Sequence, residues 1–266
     1  MTYLLFVITF LIAPILMISA ILWRFKEKLA GEYALSGTLS LIFLSTIAVV
    51  YTTPWDNYLV AERIWWYDVD KVIGTIGHVP IEEYLFFVLQ VVLTGLSLIL
   101  IRGIMRRFQP PSTRQSSPRS ILYPPIACIL VSAWIYILIA TQNDLFPGRY
   151  FSLLMLWALP PLALQFGFGG DILAADRWPA LITLALLTLY LSFADLLAID
   201  VGIWTINPDE TFGIYLFGIL PLEEALFFLM TNALIINGIA LCLSPQTWTR
   251  INQYRSRPPL GIPSGD

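Results

Sequence analysis

Seven long runs of apolar residues dominate the sequence, and short polar segments separate them. A helix needs about 17–25 predominantly apolar residues to cross the hydrocarbon core of a membrane, and each run falls in that range. The runs are continuously apolar rather than alternately apolar and polar, which favours helices over the strands of a membrane barrel. The pattern predicts seven membrane-spanning helices, at about residues 3–23, 34–51, 80–101, 121–140, 150–167, 179–197 and 219–241.

The composition supports an integral membrane protein that has the lipid bilayer as its main partner. Of the 266 residues, 58% are hydrophobic and 12% are charged, whereas soluble domains carry about 25% charged residues. We interpret the first run as a span rather than as a cleaved signal peptide, because it is long and no A-x-A site follows it. The net charge of −3 gives no reason to expect a nucleic acid partner.

The polar segments predict the orientation of the chain. Residues 106–120 are basic and rich in proline and serine, so we expect a flexible cytoplasmic linker there. Residues 246–266 have the same character and are expected to form a disordered cytoplasmic tail. If the N-terminus faces outside, most of the 15 Lys and Arg residues lie on the inner side, in agreement with the positive-inside rule. We therefore predict an N-terminus outside a bacterial or archaeal cell membrane and a cytoplasmic C-terminus.

The motif P-x-E-E-x-L-F-F occurs twice, at residues 80–87 and 221–228, and each copy leads into an apolar run. The segments upstream of the two copies also match, because each contains Asp, Trp, Asp and Gly in the same order. In the first half these residues are Asp56, Trp66, Asp70 and Gly74, and in the second half they are Asp195, Trp204, Asp209 and Gly213. The separation from the first Asp to Trp is ten residues in one half and nine in the other.

This duplication predicts an all-α membrane protein built from two parallel three-helix repeats joined by a linking helix. The first repeat covers residues 1–105, the linking helix 121–145 and the second repeat 146–245. Pro14 in the first span has a counterpart in Pro160 or Pro161 of the fifth. A single linking helix is what two repeats of three spans require if they are to share an orientation.

The two motifs supply acidic groups at helix starts. Pro80 and Pro221 suit a first helical turn, where the missing N–H is not needed, and acidic residues there also act as caps. Capping alone does not require two adjacent glutamates, and still less a second copy of the pair. We therefore take as candidate acid–base residues Glu82, Glu83, Glu223 and Glu224.

Each glutamate shares a helix face with a phenylalanine four residues later. These rings belong to Phe86, Phe87, Phe227 and Phe228. Apolar surroundings favour a neutral carboxylic acid that can donate a proton, and an aromatic face stabilises a nearby cation. Acid and aromatic residues together in a membrane suit carbocation chemistry on an apolar polyene. Asp56 and Asp195 are secondary candidates for orienting groups or supplying protons.

The duplicated motif, the upstream aspartates and the segment Gly202-Ile203-Trp204 resemble the lycopene cyclases of the heterodimeric c/d-subunit type, here in a fused single chain. The resemblance covers residues 1–245. It implies conversion of the linear ends of lycopene to β-ionone rings, by way of γ-carotene to β-carotene, without net redox change and with no cofactor or metal. It also implies catalytic roles among the four glutamates, supporting roles for Trp66 and Trp204, and other carotenoid-pathway enzymes as partners.

The first half departs from this pattern in one place. Its segment Glu62-Arg63-Ile64-Trp65-Trp66 has no glycine two residues before Trp66. This difference weakens any specific role for that segment in the first half.

Other protein classes fit the sequence less well. Intramembrane proteases with an E-E-x-x-x-R motif have arginine where this chain has Phe87, and His78 is the single histidine. A retinal-binding protein would need a lysine within a span. Polyprenyl transferases use longer acidic motifs than Asp68-Val69-Asp70. A flavin-dependent cyclase would need G-x-G-x-x-G after a strand, whereas the glycine-rich segment 167–170 ends a span and is assigned to a loop.

A small-solute or proton-coupled transporter is the main alternative. Parallel three-helix repeats joined by one helix also occur in transporters, and acidic residues within a membrane can carry protons. Because the glutamates are paired with aromatic residues and few polar residues line the spans, an apolar substrate is favoured over a solute.

Overall fold

The computed structural model describes residues 1–25, 34–108, 123–143 and 145–256, and this part of the chain is mostly helical. Seven long helices follow one another: α1 (Tyr3–Arg24), α2 (Ala34–Ala61), α3 (Ile81–Phe108), α4 (Tyr123–Gln142), α5 (Tyr150–Ala175), α6 (Arg177–Asp200) and α7 (Leu222–Leu243). A shorter helix, α8 (Pro245–Arg255), follows them. All seven long helices are long and apolar enough to cross a membrane, which confirms the predicted helices.

Three of the long helices extend well beyond their predicted ends, and α3 reaches Phe108 rather than about residue 101. Helix α2 was expected to end near residue 51, yet it continues through Pro54 and Asp56 to Ala61. Helix α5 was expected to end near residue 167, yet it continues to Ala175 with a kink at Gly169, where φ is −143° and ψ is 30°. The glycine-rich segment predicted as a loop therefore lies within a helix. A Cβ atom at Gly169 would lie 2.3 Å from the side chain of Leu241, so close packing against α7 explains the glycine.

The C-terminal tail is ordered over its first part. Residues 245–255, which we expected to be disordered, form α8. Arg250 on this helix pairs with Asp171 of α5 and donates to the carbonyl of Phe168 at 2.9 Å. The expected linker at 106–120 and the end of the tail fall largely outside the described residues.

Helices α3 and α7, which carry the two motifs, lie at the centre of the bundle. Helix α3 packs against α1, α2, α6 and α7, and α7 also packs against α2, α5 and α6. Helix α4 packs mainly against α5. Buried side chains join the two central helices, since Gln90 donates to Thr231 at 2.9 Å and Thr94 donates to Asn232 at 3.0 Å. Hydrogen bonds of this kind satisfy polar groups that lipid cannot satisfy.

Short strands cover one end of the bundle. Strands β2 (Thr75–Ile76) and β3 (Val79–Pro80) form a hairpin before α3, and β5 (Tyr215–Leu216) and β6 (Leu220–Pro221) form a hairpin before α7. Strand β1 (Trp65–Tyr67) pairs antiparallel with β4 (Trp204–Ile206). The β1–β4 ladder ties the segment that follows α2 to the segment that follows α6.

Helix α1 contains a π-helical turn at Ile8–Ile12, just before Pro14. A proline has no N–H, so the carbonyl four residues earlier loses its helical partner. For Pro14 this is the carbonyl of Phe10, and the hydroxyl of Tyr190 on α6 donates to it at 3.0 Å. A tyrosine thus satisfies the carbonyl that the proline leaves free, and it links α6 to α1.

Helix α5 repeats this arrangement at Pro161. The carbonyl four residues earlier belongs to Trp157, and the hydroxyl of Tyr51 on α2 donates to it at 2.8 Å. The adjacent Pro160 frees a second carbonyl, which accepts the indole N–H of Trp134 from α4 at 3.0 Å. Because Tyr3 and Tyr150 each lie eleven residues before their helix proline, Pro161 rather than Pro160 corresponds to Pro14.

Candidate active site

The two P-x-E-E motifs begin the two central helices. Pro80 ends strand β3 and Pro221 ends strand β6, and the helices start at the next residues, Ile81 and Leu222. Both prolines are fully or nearly buried. The helices start one and three residues after the predicted span starts of 80 and 219, and each proline directly precedes its helix rather than lying in the first turn. Two adjacent glutamates lie in the first turn of each central helix.

The first glutamate of each pair anchors a loop. Glu82 accepts a hydrogen bond from the backbone N–H of Ile73 at 2.8 Å, and Glu223 accepts one from the N–H of Phe212 at 2.6 Å. Both side chains are 0% exposed. In each case the carboxyl holds the segment that precedes the hairpin against the start of its helix. The other carboxyl oxygen of each has no donor within the described part of the chain.

The second glutamate of each pair lines a single small cavity of about 50 Å³. Glu83 and Glu224 are therefore brought together from the two halves of the chain. Glu83 accepts hydrogen bonds through Oε2 from the hydroxyls of Tyr3 and Tyr67, the latter at 3.1 Å. Glu224 accepts one from the hydroxyl of Tyr150 at 2.9 Å. Adjacent residues of a helix point about 100° apart, which explains why one glutamate of each pair faces the loop and the other faces the cavity.

The two aspartates have different surroundings. Asp195 lines the cavity, accepts the indole N–H of Trp204 at 2.8 Å, and lies within hydrogen-bonding reach of Glu224. Asp56 is 1% exposed and close to Glu83, but neither of its oxygens has a donor among the described groups. The sequence placed Asp56 in a loop, whereas it lies in the last two turns of α2.

The tryptophan of the first half is Trp65, not Trp66. Trp65 lines the cavity together with Trp204, whereas Trp66 is not part of its wall. Asp56 and Trp65 are nine residues apart, as are Asp195 and Trp204. Trp65 rather than Trp66 is therefore the cavity-lining counterpart of Trp204, and the supporting role of Trp66 stays a prediction.

Aligning Trp65 with Trp204 also shows which residue of the first half replaces the glycine found two residues before Trp204. Arg63 stands where the second half has Gly202, and both have left-handed backbone, with φ of 59° and 66°. Each follows the end of a helix, and the next N–H returns to the helix: Ile64 donates to the carbonyl of Leu59, and Ile203 donates to that of Ala198, both at 2.9 Å. The first half keeps the turn without the glycine.

Aromatic rings form most of the cavity wall. Three of the four predicted phenylalanines line the wall, whereas Phe87 lines a second cavity behind it. The aromatic residues of the first cavity are Tyr3, Trp65, Tyr67, Phe86, Tyr150, Trp204, Phe227 and Phe228. Tyr3 lies 5.0 Å from Trp204 and Trp65 lies 5.3 Å from Tyr150, measured between ring centroids. A cation formed in this space would face several π systems.

Sequence reasoning missed the three tyrosines that donate to the glutamates. Burial and the Glu83 carboxylate raise the pKa of Tyr67 well above its usual value, so its phenol keeps its proton and acts as a donor. Tyr3 and Tyr150 could have been found, because each starts an apolar run eleven residues before a proline.

One arginine connects the two halves beside the site. Arg149 lies directly before Tyr150 and pairs with Glu210 at 2.7 Å and with Glu62 at 2.9 Å. The hydrogen bonds from Arg149 lower the pKa of Glu210. Gly148 has φ of 69°, and a Cβ there would lie 2.2 Å from the backbone of Glu210. The start of α5, and with it Tyr150, is thereby fixed against the loop that follows β4.

Fold and site together define a strongly apolar helical protein with acidic groups enclosed by aromatic rings. Comparison with known proteins identifies its family. The family model described as lycopene cyclase matches residues 1–100 and 149–242. The lycopene beta-cyclase of Halobacterium salinarum is 36% identical over 198 residues, which are 74% of this chain and 79% of that protein. No solved structure matches significantly.

Longer relatives carry a second named activity. The bifunctional lycopene cyclase/phytoene synthases of Phaeosphaeria nodorum and Podospora anserina are 35% and 36% identical to this chain over 204 and 206 residues. The matches cover 74% and 76% of this chain but 34% of each relative. The chain belongs to the lycopene cyclase family and is an enzyme of carotenoid biosynthesis. The two blocks that match the family model leave residues 101–148 between them unmatched.

Proposed function

We propose that this enzyme converts the linear ends of lycopene to β-ionone rings, by way of γ-carotene to β-carotene, in an acid-initiated cyclisation without net redox change. The observation that carries the proposal is the pair Glu83 and Glu224, which the two halves of the chain bring into one cavity walled by aromatic rings. An isomerisation of this kind needs one group that gives a proton and one that takes a proton back.

Glu224 is the proton donor in this proposal. It lies within hydrogen-bonding reach of Asp195, and two carboxyl groups in contact favour holding a proton between them, because both cannot comfortably be ionised. Asp195 is fixed by the indole N–H of Trp204 at 2.8 Å. The Asp195–Glu224 pair therefore holds the proton that is transferred to the terminal double bond. Asp195 orients Glu224 and returns a proton to it after each reaction.

Glu83 is the base. Two phenol donors, Tyr3 and Tyr67, converge on its Oε2 atom, and hydrogen bonds of this type favour the ionised form of a carboxyl group. After protonation, the neighbouring double bond attacks the tertiary cation and closes the ring, and the cation moves into the ring. Loss of a ring proton to Glu83 then forms the ring double bond. One proton enters and one leaves, so the product is an isomer of the substrate.

The aromatic wall stabilises the cation between these two steps. Rings from both halves surround the space between the carboxyl groups, and a cation over an aromatic face gains about 0.5–2 kcal/mol, more where water is excluded. Glu82 and Glu223 have a different role in this proposal. Each accepts a hydrogen bond from a backbone N–H of its loop. They therefore position the first turns of α3 and α7, which carry Glu83 and Glu224, rather than transfer protons.

The repeated contacts support a two-repeat architecture in the membrane. We assign α1–α3 to one three-helix unit and α5–α7 to a second, with α4 as the linking helix and the N-terminus outside. The hydrogen bonds Tyr3–Glu83 and Tyr150–Glu224, Ile73–Glu82 and Phe212–Glu223, and Tyr190–Phe10 and Tyr51–Trp157 form matching pairs in this scheme. Other enzymes of carotenoid synthesis are the candidate partners, and the transporter alternative has no support from the family match.

Expression in a bacterium that accumulates lycopene tests the activity. We expect γ-carotene and β-carotene in the pigment extract, and unchanged lycopene in a strain that makes the membrane-inserted protein would contradict the proposal. The products of variants test the roles. Glu224→Gln should leave lycopene unreacted, whereas Glu83→Gln should still form the cation and yield rings with the double bond in other positions. If both variants give the same products, the roles of acid and base are not divided in this way.

A further inference from the structure

A second cavity lies behind the aromatic wall, between helices α2, α3, α5 and α7. Its volume is about 290 Å³, several times that of the cavity that holds the glutamates. Most of its lining is apolar, including Ala48, Phe87 and Trp157. Phe227 lines both cavities, so the two spaces share a wall of one side chain.

The catalytic cavity is too small for a long substrate. At about 50 Å³ it has room near the glutamates for little more than the reacting end of a polyene. A linear polyene with a reactive end in this cavity must continue into some neighbouring space. The second cavity is such a space, because Phe227 lines it as well as the catalytic cavity.

Phe227, which lines both cavities, belongs to a cluster of aromatic rings with Trp55 and Trp157. The rings of Trp55 and Phe227 are nearly parallel, at 4° and 6.1 Å between centroids, and Trp55 stacks on Trp157 at 24° and 4.9 Å. Parallel rings present a surface against which a flat conjugated chain can lie, with favourable stacking along its length. Of these rings, Phe227 lines both cavities and Trp157 lines the second, so a chain that runs from one cavity to the other lies beside them.

The second cavity opens to the side of the bundle. Three residues of its lining are strongly exposed there: Leu164 at 74%, Ile47 at 45% and Tyr51 at 41%. In a membrane this side faces the lipid chains, which dissolve apolar polyenes. Since an apolar ligand arriving from lipid need not cross water, a lateral opening suits it better than an opening at the polar end of the bundle.

The corresponding space in the other half is filled. In the repeat scheme, α6 residues lie 139 positions after their α2 counterparts, so Leu187 and Leu191 take the places of Ala48 and Thr52. Both leucines are buried, at 7% and 1% exposure, and belong to the main core. The small residues on α2 therefore mark one of the two equivalent gaps as the open one.

We propose that this cavity binds the conjugated chain of the polyene substrate and that the gap between α2 and α5 is its entrance from the lipid. The inference rests on the proposed cyclase function. It implies that one linear end of the substrate at a time reaches Glu83 and Glu224, while the rest of the molecule lies beside Phe227 and Trp157 and projects toward the lipid.

Ala48→Phe tests the proposal by filling the cavity from a residue outside the catalytic machinery. Purified protein in liposomes is given either lycopene or a short acyclic analogue that keeps one linear end but lacks the long chain. We expect the cyclisation rate of lycopene to fall at least tenfold and that of the analogue to stay within twofold of the unaltered enzyme. Leu189→Phe on α6 adds similar bulk at a position that is 71% exposed, and should change neither rate.

The outcomes separate this proposal from the proposed function. If the unaltered enzyme leaves lycopene unreacted, the cyclase function itself is wrong. If the unaltered enzyme is active and Ala48→Phe cyclises lycopene at the same rate, or loses both substrates equally, the cavity does not bind the chain. A binding measurement guards against a folding defect: lycopene retained by purified Glu224→Gln should exceed that retained by Glu224→Gln with Ala48→Phe at least tenfold, and equal retention would overturn the proposal.

Discussion

The two halves of the site use the same residue types but hold their carboxyl groups differently. In the second half, Asp195 accepts from Trp204 at 2.8 Å and lies beside Glu224. In the first half, the indole of Trp65 donates instead to Tyr67 at 3.2 Å, and Tyr67 donates to Glu83. Asp56 is left without a donor among the described groups. The difference follows from one position of the β1–β4 pair, where the first half has Tyr67 and the second half has Ile206. With Tyr67 present, the indole and phenol donors lead to the glutamate, whereas in the second half the indole donates to the aspartate.

The difference between the halves can be traced to one pair of matching positions. Tyr67 and Ile206 are matching positions in the two halves, because each lies two residues after the cavity-lining tryptophan, Trp65 or Trp204. The tyrosine adds a second phenol donor to Glu83, and the isoleucine leaves Glu224 with one, from Tyr150. The two cavity-facing glutamates thus differ in their donors, and this difference is the basis on which we propose Glu83 as the base and Glu224 as the acid.

The largest effect should come from exchanging the cavity-facing glutamates. We expect Glu224→Gln to lower the rate of ring formation, and Glu83→Gln to lower the rate of β-ring formation, each by about 10²–10⁴-fold, since each removes a group that transfers a proton in the proposed mechanism. Glu82→Gln and Glu223→Gln are matched controls one residue away, and an amide oxygen still accepts the loop N–H, so they should keep most of the activity. Rates of pigment formation in isolated membranes, normalised to protein content, measure this. Loss of activity in the control pair equal to that in the cavity pair would show that the division within each motif is wrong.

Replacing Asp195 should lower the activity more than replacing Asp56. Asp195→Asn removes the carboxyl that shares a proton with Glu224 in the proposed mechanism, and we expect a loss of about 10–100-fold, toward the lower end of what acid–base groups contribute. Asp56→Asn changes a carboxyl that has no donor among the described groups, so the loss should stay below about tenfold. The measurement is the rate with lycopene as a function of pH. A larger loss for Asp56→Asn than for Asp195→Asn would reverse the comparison between the halves.

Substitutions in the turns before β1 and β4 should have smaller effects, and these concern stability rather than activity. Gly202→Ala forces a side chain into left-handed backbone, which costs about 1–2 kcal/mol, and the nearest group to the new Cβ is the flexible Lys71 amine at 3.4 Å. Arg63→Gly removes the strain of left-handed backbone in the first half. It should raise the free energy of unfolding by about 1 kcal/mol or less, because glycine also loses more entropy on folding. Thermal unfolding in detergent measures both. A stabilised Gly202→Ala would mean that the two turns are not equivalent.

The fold was predictable from the sequence where a local signal was strong. Seven apolar runs gave seven helices, and the prolines at 80 and 221 marked two helix starts to within a residue. The end of α2 was missed because Pro54 and Asp56 resemble a loop, whereas both lie within the helix and Asp56 is 1% exposed. The end of α5 was missed because glycine is ambiguous between a break and close packing, and Gly169 serves close packing.

The site was predictable in its residue types but not in its geometry. The motif supplied four glutamates, yet which of two neighbours faces the cavity depends on where the helix begins and on what the adjoining loop contacts. Trp65 and Trp66 are adjacent, and the register of β1 against β4 decides between them. Tyr3 and Tyr150 are 80 and 74 residues from the glutamates they contact, so their role depends on tertiary packing.

The smallest effect concerns the two tyrosines that link the halves. Tyr51→Phe and Tyr190→Phe each remove one hydrogen bond to a carbonyl freed by a helix proline, and we expect each to lower the free energy of unfolding by about 0.6 kcal/mol, the average for such bonds within membranes. Stability alone should not distinguish them. Tyr51 lines the open gap between α2 and α5, whereas Tyr190 bridges the filled gap, so only Tyr51→Phe should change the KM for lycopene, with little change in kcat. Equal KM values for the two variants would mean that both gaps, or neither, admit the substrate.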